Sequence, residues 1–342
     1  MKNVAVLGAG SWGTALALLL SRKGVPTIMW GRNTDFIKEL NTRRENTRYL
    51  PHALFPHTLE LTSDLAEAVR DRDVLLIVVP SHGFRKTVRQ VATLLDENHL
   101  PAAVISATKG IENSTLCSMT EVLEQEMPPA LSGRFAVLSG PSFAREVADS
   151  LPTAVSLAAT DTGICMKLQE LFSTDSFRVY SNLDVVGVQL GGALKNVMAI
   201  ASGISDGMKF GSNTRAALIT RGLAEMTRLG LKIGANPLTF AGLAGLGDLV
   251  LTCTGDLSRN RQVGLRLGAG EGIDDILESM TMVAEGVKTS KSVHQLSRKY
   301  GVEMPITEQV YRVLYRGLEP GEAVKELMMR PPKHELYGVS FG

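Results

Sequence analysis

Residues 4–17 read VAVLGAGSWGTALA, a short apolar run that leads through a glycine-rich turn into a helical pattern. The run from Val4 to Leu7 is fully apolar, as expected of a strand buried on both faces of a sheet. Gly8, Gly10 and Gly13 then follow with the spacing GxGxxG. The first glycine permits a tight turn, the second lets the backbone approach a pyrophosphate, and the third lets the helix pack on the strand. The segment therefore predicts a dinucleotide site at a helix N-terminus. The alternative is a turn that only connects two elements.

The first half of the chain alternates short β-branched runs with helical patterns. Continuous apolar strands separated by helices indicate a parallel sheet covered on both faces. Further strands are predicted at Thr27–Trp30, Asp73–Val79, Ala103–Ala107 and Phe135–Leu138, with Thr153–Ala159 and Phe177–Tyr180 as candidate extensions of the same sheet. We therefore predict a Rossmann-type, doubly wound and mainly parallel sheet.

After Asn182 strand-like runs become scarce and helical periods dominate. The apolar positions of one predicted helix are spaced by four, three, four and three residues: Leu190, Leu194, Val197, Ala201 and Ile204. Such spacing is typical of one buried helix face. The sequence therefore predicts an α/β protein with a dinucleotide-binding domain in residues 1–182, an all-α substrate-binding and catalytic domain in residues 183–330, and an irregular tail in residues 331–342.

Composition limits the function classes. The 342 residues contain 36 Lys and Arg against 35 Asp and Glu, which argues against a broad nucleic-acid-binding surface. No uninterrupted apolar stretch reaches the length of about 18 residues that a membrane helix needs, so neither a signal peptide nor membrane insertion is expected. Cys117, Cys165 and Cys253 lack the spacing of a disulfide framework or a zinc site. We therefore expect a cytoplasmic protein without a metal.

The second predicted strand ends in Trp30-Gly-Arg32, about where an NAD-specific site carries an acidic residue. Asp35 comes too late in the sequence for that role. Arg32 can instead bind a 2′-phosphate or stack on adenine, although a solvent-exposed loop arginine is the simpler alternative. We therefore expect NADP or NAD as the cofactor, with NADP favoured.

Two lysines are candidates for chemistry. Lys109 follows a predicted strand, and ligands of open parallel sheets bind beyond the carboxyl ends of the strands. Lys195 lies on the predicted helix one turn after Gly191 and Gly192, so its side chain leans over a surface without side chains. This leaves room for a ligand, and close helix packing is the alternative. If Lys109 lies near Lys195, its charge lowers the pKa of Lys195 toward the range of a general acid or base.

An anion site is predicted in the second domain. Ser258 has the character of a helix N-cap, and Arg259 and Arg261 then fall in the first turn, where cations oppose the helix dipole. A bound phosphate would turn this penalty into an attraction, whereas two exposed arginines screened by water are the alternative. Asp248 can orient an ammonium group or bind a substrate hydroxyl, or it is only an N-cap. Glu285 is either a functional or a plain loop carboxylate.

Together these motifs resemble the glycerol-3-phosphate dehydrogenases that use NAD or NADP, in particular the bacterial form. The similarity extends to about residue 330 and includes GAGSWGTALA at 8–17, ATKG at 107–110, SGPSFAREV at 139–147, GVQLGGALKNVMAI at 187–200 and SRNR at 258–261. The resemblance implies reversible hydride transfer between NAD(P)H and dihydroxyacetone phosphate. The product, sn-glycerol 3-phosphate, would supply glycerophospholipid synthesis. A homodimer acting on a small phosphorylated three-carbon substrate is also implied.

The resemblance also assigns roles to residues. It implies Lys195 as the catalytic acid and base, supported by Lys109, Asp248, Asn196 and Thr252. The implied substrate contacts are Lys109, Gly140, Ser142, Lys195, Asp248, Ser258, Arg259 and Asn260. The expected cofactor contacts are Gly8, Gly10, Ser11, Trp12, Gly13, Arg32, Lys109, Ala144, Arg259, Val283 and Glu285. Two other functions fit the bare pattern: a hydroxy-acid dehydrogenase with a helical second domain, and a non-catalytic dinucleotide sensor.

Overall fold

The structure is a computed structural model of the chain, in which residues 1–280 and 282–335 are described. By its internal contacts the chain divides into two compact units. Unit 1 comprises residues 1–108 and 119–185, and unit 2 comprises residues 109–118 together with the chain from residue 186 onward. Each unit has its own hydrophobic core.

Unit 1 is built around an eight-stranded sheet. The strands are β1 (Val4–Leu7), β2 (Thr27–Trp30), β3 (Glu45–Asn46), β4 (Leu50–Leu54), β5 (Leu59–Thr62), β6 (Val74–Ile77), β7 (Ala103–Ser106), β8 (Phe135–Ser139), β9 (Thr153–Ala159) and β10 (Phe177–Asn182). The order across the sheet is β10-β9-β8-β7-β6-β1-β2-β5, and β3 and β4 form a separate antiparallel pair. The predicted Rossmann-type sheet is therefore confirmed.

The strand directions determine where a ligand site can lie. β1 pairs in parallel with both β2 and β6, where Val4 lies opposite Thr27 and Val74. The pairs β2–β5, β6–β7 and β7–β8 are also parallel. β9 and β10 extend the sheet as expected, but β9 runs antiparallel to β8. The carboxyl ends of β1, β2, β6, β7 and β8 consequently meet at one edge, where open parallel sheets bind ligands.

Seven helices of unit 1 accompany the sheet. They are α1 (Ser11–Arg22), α2 (Thr34–Arg43), α3 (Leu65–Val69), α4 (Ser81–Ala92), α5 (Met119–Glu126), α6 (Ala144–Ala148) and α7 (Thr162–Phe172). All four residues of β1 are fully buried, as its continuous apolar sequence predicts. The residues of α1 from Gly13 to Ser21 are buried as well, which fixes the glycine-rich turn between two rigid elements.

Unit 2 is helical, and its residues 109–118, 186–280 and 282–335 contain no strand. Its helices are α8 (Val185–Gly207), α9 (Gly211–Ile233), α10 (Pro237–Ala241), α11 (Asp248–Thr254), α12 (Arg259–Gly268), α13 (Ile273–Ser279), α14 (Glu285–Lys299), α15 (Pro305–Arg316) and α16 (Pro320–Met328). A π-helical turn, Leu243–Gly247, leads directly into α11. Of the predicted tail, residues 331–335 form no helix or strand, and residues 336–342 lie outside the described residues.

The central helix of unit 2 is α8. The five apolar positions that predicted this helix are all buried, and so are the polar residues Gln189, Lys195 and Asn196. By length and composition alone α8 is apolar enough to cross a membrane, but 89% of its most apolar window is buried inside the protein. Its apolar surface therefore has partners within the fold, as in the core helix of a globular protein.

Residues 109–118 belong to unit 2 although they lie between two strands of the unit 1 sheet. Ile111 is buried in the hydrophobic core of unit 2, and Leu116 packs against that core. The predicted range 1–182 places these residues in the first domain. A continuous range cannot represent a short segment that leaves one unit and packs in the other.

Candidate active site

The glycine-rich turn of unit 1 has the geometry that a dinucleotide requires. Gly8 has a φ of +134°, and a Cβ atom there would lie 2.7 Å from the backbone oxygen of Val78. A Cβ atom on Gly13 would lie 1.9 Å from the oxygen of Gly8, so the helix and the turn pack backbone to backbone. At Gly10, in contrast, a Cβ atom would meet nothing within 4 Å. The second glycine thus faces open space, as expected where a pyrophosphate approaches.

The start of α1 offers further groups to such a ligand. Gly10 is the N-cap of α1 and provides no side-chain hydrogen bond to the first helical N–H groups. In the described part of the chain, the buried Nε1 atom of Trp12 also has no hydrogen-bond partner. Ser11 is the first residue of α1 and is partly exposed. These residues therefore fit a bound NAD(P) pyrophosphate, because helix N–H donors left uncapped bind anions.

The remaining unit 1 candidates follow the same ends of the strands. Arg32 is exposed and comes two residues after β2. Gly140 comes directly after β8 and has a φ of +143°, and the Ser142 hydroxyl donates to its oxygen at 2.9 Å. Ala144 begins α6, two residues further along the chain. The loops that carry these residues lie at the carboxyl edge of the parallel strands.

In unit 2 the two candidate lysines lie together. Lys109 Nζ donates to Asp248 Oδ2 at 2.8 Å, and Lys195 Nζ donates to Oδ1 of the same carboxylate. Lys195 also donates to the Thr252 hydroxyl at 2.8 Å, and that hydroxyl donates to the backbone oxygen of Asp248 at 2.6 Å. Both ammonium groups therefore bind one carboxylate, which is the proximity that the sequence left as a hypothesis. Asp248 is fully buried and does not cap a helix, so its N-cap alternative is wrong.

Burial and charge set the protonation of this cluster. Burial lowers the pKa of Lys195, Asp248 raises it and Lys109 lowers it again, which leaves the pKa at about 8. Burial alone would raise the pKa of Asp248, but the ammonium groups of Lys109 and Lys195 outweigh it and hold the pKa below its usual value. At neutral pH the carboxylate is therefore ionised, and Lys195 is a protonated amine with a pKa close to the working range of a general acid.

The sequence predicts a surface without side chains, with room for a ligand, at the turn before Lys195. In the structure the backbone packs closely there. A Cβ atom on Gly191 would lie 2.3 Å from the backbone oxygen of Ala244, in the π-helical turn before Asp248. The prediction that Gly191 leaves room for a ligand is wrong, because the backbone of that turn occupies the space. The close approach instead brings Asp248 within reach of Lys195.

A second group of polar residues surrounds the cluster. Asn196 donates from Nδ2 to the backbone oxygen of Lys109 at 3.2 Å. Asn260 donates from Nδ2 to Asn196 Oδ1 at 2.9 Å, and Asn260 Oδ1 accepts from the backbone N–H of Gly286 at 2.9 Å. A Cβ atom on Gly286 would lie 2.6 Å from the oxygen of Asn196. The close packing of Gly286 on Asn196 was not predicted from the sequence.

The start of α12 resembles the predicted anion site. Ser258 caps the helix by accepting the backbone N–H of Arg261 at 3.2 Å, which confirms the N-cap prediction. Arg259 Nη1 donates to the backbone oxygen of Val283 at 2.9 Å. Burial lowers the pKa of Arg259, while the carboxylate of Glu285 raises it. Glu285 is the first residue of α14 rather than a loop residue. Arg259 is thus held beside a carboxylate at a helix N-terminus.

Arg261 does not belong to this anion site. Its Nε atom donates to Asp206 Oδ2 at 2.9 Å, and its Nη1 atom donates to Asp256 Oδ1 at 2.9 Å. The residue is buried and its charge is already compensated. Both the predicted phosphate contact and the alternative of an exposed arginine are therefore wrong for Arg261. The sequence could not show this, because Asp206 lies 55 positions away.

The structure thus separates the candidate residues into two sets. The residues in unit 1 are Gly8, Gly10, Ser11, Trp12, Gly13, Arg32, Gly140, Ser142 and Ala144. The residues in unit 2 are Lys109, Lys195, Asn196, Asp248, Thr252, Ser258, Arg259, Asn260, Val283 and Glu285. Unit 1 holds the glycine-rich turn, and unit 2 holds the cluster of Lys109, Lys195 and Asp248 and the start of α12.

Comparison with known proteins shows the family to which the chain belongs. The sequence profile of the NAD-dependent glycerol-3-phosphate dehydrogenase N-terminus matches residues 3–165, and that of the C-terminus matches residues 184–325. A glycerol-3-phosphate dehydrogenase (NAD(P)+) of Citrifermentans bemidjiense is 54% identical over 334 residues, 98% of this chain and 99% of the relative. One from Syntrophobacter fumaroxidans is 53% identical over 333 residues, 97% of each chain. The crystal structure of glycerol-3-phosphate dehydrogenase from Coxiella burnetii superimposes with a TM-score of 0.91 at 45% identity, and covers 96% of this chain and 99% of that one.

Proposed function

Because the chain belongs to the NAD-dependent glycerol-3-phosphate dehydrogenase family, we propose that Lys195 is the proton donor and acceptor in hydride exchange between dihydroxyacetone phosphate and sn-glycerol 3-phosphate. The observation that carries this assignment is the burial of the Lys195 ammonium, which donates to Asp248. Burial lowers the pKa of Lys195 to about 8, helped by Lys109 and opposed by Asp248. A surface lysine would stay protonated at any physiological pH. The family assignment decides against a hydroxy-acid dehydrogenase and against a non-catalytic sensor.

In the reducing direction, protonated Lys195 donates a hydrogen bond to the carbonyl oxygen of the substrate and then transfers the proton to it. Bound NAD(P)H supplies the hydride to the carbonyl carbon. In the oxidising direction, neutral Lys195 accepts the proton of the substrate hydroxyl. Proton transfer by a positioned side chain contributes a rate factor of about 10² to 10⁴.

Asp248 and Thr252 hold the Lys195 amine in place. Each accepts a hydrogen bond from Nζ, and both lie on α11. Since an ammonium group has three donor hydrogens, the third remains for a substrate oxygen. Lys109 neutralises part of the Asp248 charge from the opposite oxygen. The same lysine is proposed to contact cofactor and substrate.

The phosphate of the substrate is assigned to the start of α12. Arg259 provides a guanidinium, Ser258 and Asn260 provide polar side chains, and the helix dipole favours an anion there. The partial burial of Arg259 strengthens its attraction to a phosphate, because charges interact more strongly where water is excluded. Within unit 1, Gly140 and Ser142 are proposed as substrate contacts.

The cofactor is assigned to the glycine-rich turn with Ser11, Trp12 and Ala144 from unit 1, and with Val283 and Glu285 from unit 2. Arg32 is proposed to favour NADP, because an exposed guanidinium two residues after β2 suits a 2′-phosphate. The test is the Michaelis constant of Arg32→Ala for each reduced cofactor. The proposal requires a larger increase for NADPH than for NADH, and equal changes would contradict it.

Further proposals concern the setting of the reaction. The product, sn-glycerol 3-phosphate, is the backbone of glycerophospholipids, so we assign the enzyme to their supply in the cytoplasm. The domain ranges 1–182 and 183–330, except for residues 109–118, remain parts of the same proposal. So do a homodimer and the absence of nucleic-acid binding and membrane insertion. Light scattering of the purified chain tests the dimer, and a monomer at micromolar concentration would contradict it.

The direct test of the proposed activity is a spectrophotometric assay that follows oxidation of NADH and of NADPH. Dihydroxyacetone phosphate is compared with unphosphorylated dihydroxyacetone and with a panel of 2-keto acids. We expect rapid turnover only with dihydroxyacetone phosphate. Faster turnover of a keto acid would contradict the assigned substrate, and cofactor binding without turnover would contradict the assigned chemistry.

A further inference from the structure

The first turn of α12 is held by an ion-pair network that has no proposed contact with substrate or cofactor. Arg261 Nε and Nη2 lie 2.9 and 2.8 Å from Asp206 Oδ2. Arg215 Nη1 lies 3.2 Å from both oxygens of the same carboxylate. The side chains of Asp206 and Arg261 are only 11% and 10% exposed. Asp206 is therefore the buried counter-charge of Arg261.

Backbone packing on both sides of this ion pair fixes α12 against α8. A Cβ atom on Gly203 would lie 2.1 Å from the backbone oxygen of Arg261, and one on Gly264 would lie 2.1 Å from the oxygen of Ile200. One turn further along, a Cβ atom on Gly207 would lie 2.2 Å from the oxygen of Leu265. The helices thus touch at the level of the backbone, and Asp206 lies within this contact on α8. A change in the ion pair cannot be absorbed by loose side-chain packing.

The two residues that precede Arg261 give this contact its importance. Arg261 is the third residue of α12, and Arg259 and Asn260 are the first and second. Asn260 also binds Asn196 on α8 at 2.9 Å. The orientation of the Arg259 and Asn260 side chains consequently depends on how firmly the first turn of α12 is held in place.

We propose that Asp206 is a positioning residue for the substrate phosphate. By holding Arg261 it fixes the first turn of α12, and so the direction in which Arg259 and Asn260 present their donors. This inference rests on the proposed assignment of Arg259 and Asn260 to the phosphate. Asp206 itself touches neither substrate nor cofactor.

Physical chemistry gives the expected effect of removing the Asp206 charge. A buried cation that loses its buried counter-ion is strongly destabilised. The helix dipole already opposes Arg261 in the first turn, so the guanidinium turns toward the exposed carboxylate of Asp256. That movement displaces the turn that carries Arg259. The loss falls on recognition of the phosphate rather than on proton transfer by Lys195.

The test compares Asp206→Asn with Asp256→Asn. Both substitutions remove one carboxylate from the same arginine, but the Asp256 side chain is 92% exposed. For each variant, kcat and KM are measured with dihydroxyacetone phosphate and with unphosphorylated dihydroxyacetone at fixed ionic strength. Inorganic phosphate serves as a competitive probe of the phosphate subsite through its inhibition constant.

We expect Asp206→Asn to raise KM for dihydroxyacetone phosphate about tenfold while kcat changes by less than about threefold. The inhibition constant of phosphate rises in parallel, and kcat/KM for dihydroxyacetone stays unchanged. Asp256→Asn behaves like the wild type in all of these measurements. Asp206→Glu, which keeps the charge, recovers part of the loss. Equal losses on both substrates, or equal effects of Asp206→Asn and Asp256→Asn, overturn the proposal.

A second variant covers the case in which Asp206→Asn does not fold. Arg261→Lys keeps the opposite charges but loses the paired contacts of the guanidinium, and it is expected to raise KM in the same selective way. An unchanged KM in a folded Arg261→Lys variant overturns the proposal. Failure of the proposed function is distinguishable: Arg259→Ala would then leave phosphate discrimination intact, whereas failure of this inference leaves the Arg259→Ala effect in place.

Discussion

Lys195 and Asp248 form a buried ion pair in which the ammonium donates to Oδ1, while Oδ2 of the same carboxylate accepts from Lys109 at 2.8 Å. One carboxylate therefore serves two amines. Asp248 raises the pKa of Lys195, and burial and Lys109 lower it, with a balance at about 8. The opposing effects of the two neighbours allow the assignment of Lys195 to be tested by the sign of a shift as well as by loss of activity.

The pH dependence of the two reaction directions should be mirror images. Below about pH 8 Lys195 carries its proton, so kcat/KM for dihydroxyacetone phosphate reduction is highest there and falls as pH rises through the pKa. For oxidation of sn-glycerol 3-phosphate, kcat/KM rises through the same pH. Initial rates from pH 6.5 to 9.5 test this, and the substrate phosphate, which titrates near a pKa of about 6, does not interfere. A reduction rate that increases through pH 8 would contradict the role of Lys195 as acid.

Replacing Asp248 by asparagine should move the profile to lower pH. The substitution keeps the shape of the side chain but removes the negative charge that raises the pKa of Lys195. An opposite charge at this distance shifts a pKa by roughly one unit or more. The reduction profile is measured as before, with Asp256→Asn as the control, since it removes an exposed carboxylate. A shift of the reduction profile to higher pH in Asp248→Asn would contradict the claim that Asp248 raises the pKa of Lys195.

Replacing Lys109 by methionine should move the profile in the opposite direction. Lys109 lowers the pKa of Lys195, so its removal raises that pKa and extends the reducing range to higher pH. The maximal rate also falls, because Lys109 is a proposed substrate contact. Lys291→Met, which removes an exposed lysine from α14, is the matched control. Shifts of the same sign in Lys109→Met and Asp248→Asn would be incompatible with this electrostatic account.

Arg259→Ala should separate phosphorylated from unphosphorylated substrates. We expect kcat/KM for dihydroxyacetone phosphate to fall by roughly tenfold to a hundredfold, the range for a lost hydrogen bond to a charged group. For dihydroxyacetone, kcat/KM of the variant should be no lower than that of the wild type. Arg266→Ala, in the last turn of the same helix, serves as the control. Equal losses on both substrates would mean that Arg259 supports the fold and not phosphate recognition.

Glu225 should make the stability of the protein depend on pH. This buried carboxylate accepts the backbone N–H groups of Ile306 and Thr307 at the start of α15, at 2.7 and 3.2 Å. Burial raises its pKa to about 7, with the hydrogen bonds opposing the shift. Because the folded state binds the proton more tightly than the unfolded state, the free energy of unfolding falls as pH rises from about 4.5 to 7, by on the order of 3 kcal/mol.

Urea unfolding of the wild type and of Glu225→Gln across this pH window tests the prediction. Glutamine can still accept hydrogen bonds from the helix N–H groups but does not titrate. The part of the pH dependence of the unfolding free energy that comes from Glu225 should therefore disappear. Glu45→Gln, at a site where the carboxylate is partly exposed, should leave the pH dependence unchanged. A wild-type protein that becomes more stable toward pH 7, with a slope that Glu225→Gln abolishes, would contradict the assignment.

Much of the fold was predictable because burial on both faces leaves a strong local signal. β1, β2 and β9 begin and end where the sequence predicts, since β1 is a continuous apolar run and β2 and β9 are mostly apolar runs. The hairpin of β3 and β4 was not predicted. It is short, and β4 contains Pro51 and His52, so its pattern of burial gives no clear alternation.

In the candidate site, too, the features with a local sequence signal were predictable, and those that depend on distant partners were not. The glycine-rich turn and the Ser258 cap follow from local chemistry. The meeting of Lys109 with Lys195 was only a hypothesis, because it depends on Asp248, which is distant in the sequence from both lysines. The functions of Gly191 and Arg261 were misjudged because each depends on one distant partner. Gly191 packs on the backbone of Ala244, and Arg261 pairs with Asp206. Pairing between elements far apart in the sequence has no local signature.

The measurement closest to the central claim is turnover of Lys195→Met with dihydroxyacetone phosphate and a reduced cofactor. Methionine fills much of the same space, and Asp248 keeps Lys109 as a partner. We expect kcat to fall by at least about 10² to 10⁴, while fluorescence titration shows unchanged NAD(P)H binding and Lys291→Met stays active. Turnover of Lys195→Met within a few fold of the wild type would contradict the account.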